Sequence, residues 1–428
     1  MEILDSIKAT QEAGGPRVDE NARPKADRKF GTALCLSGGG YRAALFHLGA
    51  MRCLHDMGIL QQVETVSSVS GGSILSAYIA KRLIELGKTG GMSFGDWEQD
   101  VSKGFRDFVL NDIRTIPVVE HLAWNWLEPK WRAFHLRRNY RKKLTTILSQ
   151  GAEREVMLPH LPQHPYFIFC STDLTFGVNW IFTREEVGDY QVGYREANGW
   201  TLAGAVAASS CFPPIFGPLA LALKPDEFKK GKYKEKDRAE LMSYLYLTDG
   251  GVYDNLGLQP VIDNHRTILV SDGGAPFVYF RRAGPFGRLV RYTMVIMNQT
   301  AALRKGDYFT GITNKLYDDA YLGLKGGVDA AGAEFLGYPE SLGEGIICGI
   351  RTDLDRFNKA ESCILENHGY YVTHNRISDK APQLIANTEY KPITPHPEFC
   401  SEASVLEGLK NSDKRFSISR LFSRRPAE

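Results

Sequence analysis

A serine within a turn of small residues is the first feature of this chain that could do chemistry. The run Ser68-Val69-Ser70-Gly71-Gly72 is similar to the G-x-S-x-G turn, in which a serine nucleophile stands between a strand and a helix. Such a sharp bend needs small neighbours because it leaves no room for larger side chains. Ser68 replaces the first glycine and adds a Cβ at a tight position, so the pattern alone is weak evidence for a nucleophile at Ser70.

Three consecutive glycines provide a second feature, a turn that could hold an anion. Gly38, Gly39 and Gly40 follow a short apolar run and precede a helix-like segment. The backbone N–H groups of such a turn can converge on one point, with the positive end of the helix behind them. The oxyanion of acyl transfer needs donors of this kind. Nucleotide binding is disfavoured, because the chain lacks G-x-x-x-x-G-K-[ST] and has no acidic residue at the dinucleotide-binding spacing.

Two acidic turns could supply a base for the serine. Asp249-Gly250-Gly251 follows an apolar run, and Asp272-Gly273-Gly274 repeats the pattern further along the chain. Each aspartate would lie at the carboxyl end of a strand, where the sites of α/β proteins assemble. The residues alone leave open which aspartate is the base and which is a turn residue.

The segments between these turns must position them, and their periodicity predicts alternating strands and helices. Thr32 to Leu36 and Val63 to Ser67 are short apolar runs, typical of buried parallel strands. Residues 41–57 and 73–86 repeat apolar residues every three or four positions, which predicts a helix after each strand. This order of elements predicts an α/β fold with a mainly parallel central sheet.

Composition divides the chain into three regions. Residues 1–29 are polar and carry two prolines, which predicts a flexible N-terminal arm. Residues 30–385 are expected to form one catalytic domain, with a Trp- and Arg-rich helical lid or insertion at 92–165 and an exposed charged loop at 224–240. Residues 386–428 form a C-terminal extension that ends in a basic tail.

Together these motifs resemble those of the patatin-like phospholipases. That family combines a glycine-rich oxyanion motif, a nucleophile turn after the next strand, and a distant Asp-Gly-Gly or Asp-Gly-Ala. Ser37-Gly38-Gly39-Gly40-Tyr41-Arg42-Ala43 looks particularly like the cytosolic phospholipase branch of the superfamily. Ala208-Ser209-Ser210-Cys211-Phe212-Pro213-Pro214 is similar to the segment before the family's aspartate, and Thr172-Asp173-Leu174 to another of its segments. The resemblance is strong over residues 30–275.

The resemblance implies a patatin-like three-layer α/β/α fold and a Ser-Asp dyad without histidine. Ser70 would be the nucleophile, and Asp249 rather than Asp272 its base, because the Gly-Val-Tyr-Asp-Asn run after Asp249 matches the family. The three glycines would form the oxyanion hole, and Arg42 would help to hold the oxyanion or a substrate phosphate. The implied reaction is hydrolysis of fatty-acyl esters of phospholipids or lysophospholipids, with no metal ion or other cofactor.

Two other functions stay open at this point. A Ser-His-Asp hydrolase would need a downstream histidine, for which His265, His368 and His374 are candidates. We expect all three to be structural, His265 at an exposed helix end and the others on a helix surface. A lipid-binding protein without turnover is the second alternative, and the presence of both Ser70 and Asp249 argues against it.

The distribution of charge indicates where the chain could meet a membrane. The 52 Lys and Arg nearly balance the 50 Asp and Glu, which argues against nucleic acid as a partner. Basic residues without an acid occupy residues 130–143, close to Trp124, Trp126 and Trp131, and residues 414–425. Mixed aromatic and basic residues suit an anionic membrane interface, but a lid with buried tryptophans and solvated arginines would show the same pattern.

Cysteine usage and the N-terminal sequence predict a cytoplasmic protein. The seven cysteines form no C-x-x-C pair and no zinc-ligand spacing, so reduced thiols are expected. The first twenty residues lack the apolar region of a secretory signal. Ala197 to Leu223 contains no charge, but its three prolines argue against a transmembrane helix. We therefore expect a soluble protein, with peripheral contact to the inner face of a membrane.

Overall fold

A ten-stranded sheet organises the chain in the computed structural model, which describes residues 2–12, 25–88, 90–113, 134–147, 153–274, 284–327, 336–410 and 412. A separate pair of strands, β3 and β4, lies within the predicted insertion. In chain order the strands are β1 (Phe30–Leu36), β2 (Val63–Val69), β3 (Thr145–Ile147), β4 (Glu153–Glu155), β5 (Tyr166–Asp173), β6 (Val178–Phe182), β7 (Glu186–Asp189), β8 (Gly193–Glu196), β9 (Leu219–Leu221), β10 (Leu245–Asp249), β11 (His265–Asp272) and β12 (Asp318–Gly323).

The large sheet has the order β12-β11-β1-β2-β5-β6-β7-β8, and β10 pairs with both β5 and β9. The pairs from β12 to β5 are parallel, whereas β6, β7 and β8 continue the sheet with antiparallel pairs. This mostly parallel mixed sheet confirms the α/β prediction. Helical connections between the first strands are what parallel pairing requires.

Helices cover both faces of the sheet. They are α1 (Glu2–Glu12), α2 (Gly40–Asp56), α3 (Gly71–Glu85), α4 (Lys103–Val109), α5 (Phe134–Lys143), α6 (Leu202–Ser209), α7 (Arg238–Ser243), α8 (Gly251–Asp254), α9 (Pro285–Thr313), α10 (Glu340–Leu342), α11 (Lys359–Lys380) and α12 (Glu402–Leu409). Alternate residues of β1 point to opposite faces, so Leu34 and Leu36 join the core formed with α2, α3 and α11, while Ala33 and Cys35 join the core formed with α1 and α9. The result is the expected three-layer α/β/α architecture.

The N-terminal region differs from the expected flexible arm, because residues 2–12 form helix α1. Leu4 and Ile7 are buried in the core that includes Ala33 and Cys35. The Gln11 amide donates to the carbonyl of Asn179 at 2.8 Å, and Lys8 pairs with Glu186. Packing of one apolar edge on the sheet stabilises a helix that its composition alone does not predict.

The insertion and the C-terminal extension both pack on the body of the domain. In the insertion, α5 lies against α6, and Leu136 and Tyr140 are fully buried. In the extension, Asn387 N–H donates to Met57 O at 3.0 Å, and α12 buries Val405 against the domain. Residues 224–240 are mostly exposed. Trp124, Trp126, Trp131 and the basic run 414–425 lie outside the described residues.

None of the described helices combines the length and apolar character that a bilayer span needs. The uncharged stretch from Ala197 to Leu223 is divided between α6, a turn with prolines, and β9.

Candidate active site

Ser70 occupies a strained turn between β2 and α3. Its φ of 49° and ψ of −114° lie in a region that residues with a Cβ seldom adopt. Ser70 is 8% exposed, so solvent reaches a small part of the residue. A Cβ added at Gly71 would lie 2.2 Å from the carbonyl oxygen of Gly40, so only glycine fits there. The turn is therefore held directly against the glycine loop that joins β1 to α2.

Ser68, which replaces the first glycine of the turn pattern, is accommodated in β2. It is fully buried, and its hydroxyl donates to the carbonyl of Ile168 at 3.2 Å. Ser73, one turn into α3, donates to the Ser68 hydroxyl at 3.2 Å. The Cβ of Ser68 therefore fits in the turn, and its hydroxyl forms hydrogen bonds with β5 and α3.

Asp249 reaches Ser70 because two strands end against each other along one edge of β5. In the parallel pair, Val69 at the end of β2 is opposite Cys170. In the antiparallel pair, Asp249 at the end of β10 is opposite Ser171, the next residue of β5. The ends of β2 and β10 therefore meet, and the residue that follows Val69 lies beside the Asp249 carboxylate.

The environment of Asp249 makes its carboxylate a stronger base than an ordinary aspartate. Burial raises the pKa of Asp249 to about 7, while the backbone N–H of Gly251 and the Ser70 hydroxyl oppose that rise. Oδ1 accepts the Gly251 N–H at 2.8 Å. Within the described residues, Oδ2 is buried and has no hydrogen bond of normal length. The Ser70 hydroxyl thus faces the carboxylate without a closed hydrogen bond, as is common in enzymes without substrate.

The Ser209 side chain holds the backbone of Ser70 by a hydrogen bond. Its hydroxyl accepts the Ser70 N–H at 3.0 Å and donates to the Cys170 carbonyl at 2.6 Å. The same hydroxyl lies 2.8 Å from Ser73 Oγ. The run 208–214 resembles a family segment, but its sequence does not predict that Ser209 holds the Ser70 backbone.

The glycine loop contributes amides next to Ser70. A Cβ at Gly38 would lie 3.2 Å from Ser70 Cβ, which places the loop beside the nucleophile. The Gly38 N–H, however, already donates to the carbonyl of Asn255 at 3.0 Å. Among the described residues, the amides of Gly39 and Gly40 have no acceptor. Of the three glycines expected to form an oxyanion hole, Gly39 and Gly40 therefore have amides that could donate to a ligand, whereas the Gly38 amide is bonded to Asn255.

The Asn255 side chain lies between the glycine loop and the segment that follows Asp249. Its Oδ1 would be 2.3 Å from a Cβ at Gly38 and 2.5 Å from a Cβ at Gly251. The side chain thus fills the gap between the two backbones. Its position shortly after Asp249 in the motif was the only signal in the sequence.

Arg42, which was expected to help hold an oxyanion or a phosphate, has backbone carbonyls as its partners. The side chain is 2% exposed, and Nη1 donates to the carbonyls of Cys348 and Ile350 at 3.0 and 2.9 Å. Nη2 donates to the Gly273 carbonyl at 3.1 Å. Burial lowers the pKa of Arg42 to about 10. The guanidinium therefore ties the start of α2 to two other segments instead of facing a ligand.

Asp272, the rival base, belongs to a different group of contacts. Its carboxylate pairs with Lys305 at 2.5 Å and accepts the Tyr321 hydroxyl. Lys305 is the main partner that lowers the pKa of Asp272 against the effect of burial. An ion-paired carboxylate of low pKa is a poor base, so the structure separates the two aspartates that the sequence left open.

Of the candidate histidines, His265 and His368 are buried and His374 is half-buried, and all three have other partners. His265 begins β11, with Nε2 2.9 Å from the Thr65 hydroxyl, instead of ending an exposed helix. His368 lies inside the core, with Nε2 2.7 Å from the Leu324 carbonyl, instead of on a helix surface. His374 contacts the Tyr390 hydroxyl at 3.0 Å. Burial lowers the pKa of all three, so each is a structural group.

One group of side chains in the described part of the chain could converge on a metal ion. Donor atoms of Cys363, His396 and Glu398 lie within 4.8 Å of one another. His396 Nε2 is already 2.8 Å from Glu366, which is fully buried and paired with Arg106. The cluster therefore has a structural explanation, and its residues are not those that contact Ser70 or Asp249.

A known protein family shares the sequence pattern of this chain. The sequence model of the family described as patatin-like phospholipase matches residues 34–262, more than half of the chain. No curated protein sequence matches it.

Similar solved structures include human and bacterial proteins. Human GIVD cytosolic phospholipase A2 with methyl gamma-linolenyl fluorophosphonate is 14% identical, with 96% of this chain and 63% of that chain covered and a TM-score of 0.46. Another structure of the human protein is 12% identical, with 62% of this chain and 48% of that chain covered and a TM-score of 0.37. VipD from Legionella pneumophila is 14% identical, with 84% and 68% covered and a TM-score of 0.32. This chain therefore spans between 48% and 68% of the length of those proteins. TM-scores of this size add nothing to the family match.

Proposed function

The chain belongs to the patatin-like phospholipase family, and we propose that it hydrolyses fatty-acyl esters of membrane phospholipids or lysophospholipids through a Ser70–Asp249 dyad. The observation that carries the proposal is the meeting of β2 and β10 on β5, which sets Val69 and Asp249 opposite consecutive residues. A nucleophile and its base need this kind of fixed contact.

The state of the base supports a dyad in which no histidine is needed. The pKa of Asp249 is raised to about 7, so about half of the molecules carry the carboxylate at pH 7. A carboxylate of this pKa accepts a proton more readily than an ordinary aspartate does. Its Oδ2 is the oxygen left open toward Ser70. The histidine candidates for a triad have other partners, as described above, which favours the dyad.

The proposed reaction has two acyl-transfer steps. Ser70 Oγ attacks the ester carbonyl carbon while Asp249 takes the Oγ proton, and the amides of Gly39 and Gly40 donate to the oxyanion. The ester C–O bond then breaks, and the leaving alcohol takes the proton from Asp249. Water next attacks the acyl-enzyme with Asp249 as base, the fatty acid leaves, and Ser70 recovers its proton.

The nucleophile can be tested with a serine-directed fluorophosphonate and with lipid turnover by mass spectrometry. We expect wild type to be labelled and to release fatty acid from phospholipid or lysophospholipid. Ser70→Ala should lose labelling, and both Ser70→Ala and Asp249→Asn should lose about 10³-fold or more in turnover. Ser243→Ala and Asp226→Asn are matched controls, because both side chains are exposed and should retain activity.

Each result has a separate meaning. Labelling and lipid cleavage by Ser70→Ala at the wild-type level would show that another residue is the nucleophile. Labelling of wild type without release of fatty acid would leave a reactive serine but reject a lipid ester as substrate. A wild type that is neither labelled nor active would support the lipid-binding alternative.

A further inference from the structure

Helix α9 is fixed by one face to the residues around the candidate active site. The Met297 methyl group lies 2.9 Å from the position that a Cβ on Gly251 would take, two residues from Asp249. The Arg304 guanidinium lies over the Tyr253 ring at 5.1 Å, and Lys305 pairs with Asp272 at 2.5 Å. This helix therefore packs against the segment that follows Asp249 and against Asp272.

The opposite face of α9 exposes a stripe of large apolar side chains. Leu289 is 51% exposed, Tyr292 61%, Ile296 59% and Leu303 69%. Their spacing of three, four and seven residues puts all four on one side of the helix. Soluble proteins seldom leave such a continuous apolar stripe in water unless it has a partner.

The charges of α9 indicate the nature of that partner. The helix carries four basic residues, Arg288, Arg291, Arg304 and Lys305, against one acid, Asp307. Arg304 and Lys305 contact Tyr253 and Asp272 on the inner side, so Arg288 and Arg291 are the basic residues nearest the apolar stripe. Arg288 is exposed next to Leu289. An apolar face flanked by basic side chains is typical of helices that lie in the interface of an anionic bilayer. A second copy of the chain would bring the same basic residues together, which makes self-association through this face unfavourable.

We propose that the outer face of α9, defined as Leu289, Tyr292, Ile296 and Leu303, inserts into the headgroup region of an anionic phospholipid bilayer. The inference rests on the proposed lipid substrate, which would be delivered to Ser70 from the surface that α9 contacts. Because the inner face of the same helix packs beside Asp249, docking of α9 brings the site to the bilayer without a rearrangement of the dyad.

The test compares Leu289→Gln/Ile296→Gln with wild type in sedimentation with two kinds of vesicle, phosphatidylcholine alone and phosphatidylcholine with phosphatidylglycerol. Binding of the variant to the anionic vesicles should fall about tenfold or more, because two apolar anchors are lost. Its hydrolysis of water-soluble p-nitrophenyl butyrate and its labelling by fluorophosphonate should stay within about twofold, since neither needs a bilayer. Ile393→Gln/Leu406→Gln is the matched control, because it changes two exposed apolar residues elsewhere.

The results separate this inference from the proposed function. The inference is supported if wild type and the control variant bind anionic vesicles and the α9 variant does not. This holds even if no ester is hydrolysed. Unchanged vesicle binding by the α9 variant would overturn it, even if the enzyme were active. A wild-type dimer in size-exclusion chromatography that becomes a monomer in the variant, with vesicle binding unchanged, would assign the stripe to a subunit interface and also overturn it.

Discussion

The hydroxyl of Ser209 accepts the backbone N–H of Ser70 at 3.0 Å, across 139 residues of sequence. It simultaneously donates to the Cys170 carbonyl on β5 at 2.6 Å. A serine with φ of 49° is strained, and such conformations persist only when the surroundings hold them. The Ser209 hydroxyl is one of the groups that does so, and it therefore helps to determine where the Ser70 hydroxyl points.

Ser209→Ala tests this support. The change leaves the Ser70 N–H without its acceptor, so we expect kcat to fall about 10- to 100-fold with little change in KM, since an unsatisfied buried donor costs about 1–3 kcal/mol. The rate of fluorophosphonate labelling should fall in parallel. Ser243→Ala, at an exposed position, is the control. Unaltered labelling and turnover in Ser209→Ala would show that the turn keeps its geometry without this hydrogen bond.

The pH dependence of activity should follow the ionisation of Asp249. Only the carboxylate can accept the Ser70 proton, and burial raises the pKa of Asp249 to about 7. The value of kcat/KM for a soluble ester should therefore rise with pH, tenfold per unit below about 6, and level off above about 8. A profile already flat from pH 5 upward would mean that Asp249 has an ordinary pKa or is not the base.

Arg42→Lys distinguishes a structural arginine from a ligand-binding one. Lysine keeps the charge but cannot reach the three carbonyls together, so we expect a loss of about 1–3 kcal/mol in the free energy of unfolding. Activity toward phospholipid and toward p-nitrophenyl butyrate should fall by the same factor. Arg266→Lys, at an exposed position, should change neither quantity. A selective loss with phospholipid would restore the phosphate-binding role.

A buried carboxyl pair, Asp173 and Asp189, should make stability depend on pH. Burial, followed by the charge of Asp173, raises the pKa of Asp189 well above its usual range. At a pH between the unfolded-state pKa of Asp189 and its higher folded-state pKa, the folded protein binds more protons than the unfolded chain. The free energy of unfolding therefore falls as pH rises through that range.

Asp189→Asn should remove that dependence. The amide side chain keeps an oxygen that can accept the backbone N–H groups of Gln191 and Val192, which Asp189 Oδ1 accepts at 2.8 Å. We expect a stabilisation on the order of 1 kcal/mol at pH 8 and a flatter curve between pH 5 and 8, measured by urea unfolding. Asp226→Asn, which is exposed, should behave as wild type. A lower urea midpoint at pH 8 would contradict the assignment.

The sequence was sufficient to predict the local parts of the site. Short-range patterns define β1, β2 and the helices after them, so the serine turn and the glycine loop could be recognised from spacing alone. The apolar run before Asp249 likewise predicted a strand end there, whereas the choice of Asp249 over Asp272 came from the family resemblance. These features depend on neighbours within a few residues, which is the range that a pattern contains.

What the sequence could not predict depends on distant partners. Arg42 matches the sequence motif, but its contacts are with the carbonyls of Gly273, Cys348 and Ile350, which are distant in sequence. The Gly38 N–H likewise donates to the carbonyl of a distant residue, Asn255. The packing of α1 on the sheet requires the second core, whose residues are spread over the chain. Only the folded topology brings these groups together.

The close approach of Gly71 to Gly40 also restricts where a substrate can lie. With 2.2 Å between a Cβ at residue 71 and the Gly40 carbonyl oxygen, the two backbones leave no space for an atom between the serine turn and the glycine loop. An acyl chain bound at Ser70 would therefore have to lie on another side of the serine, and not between these two turns.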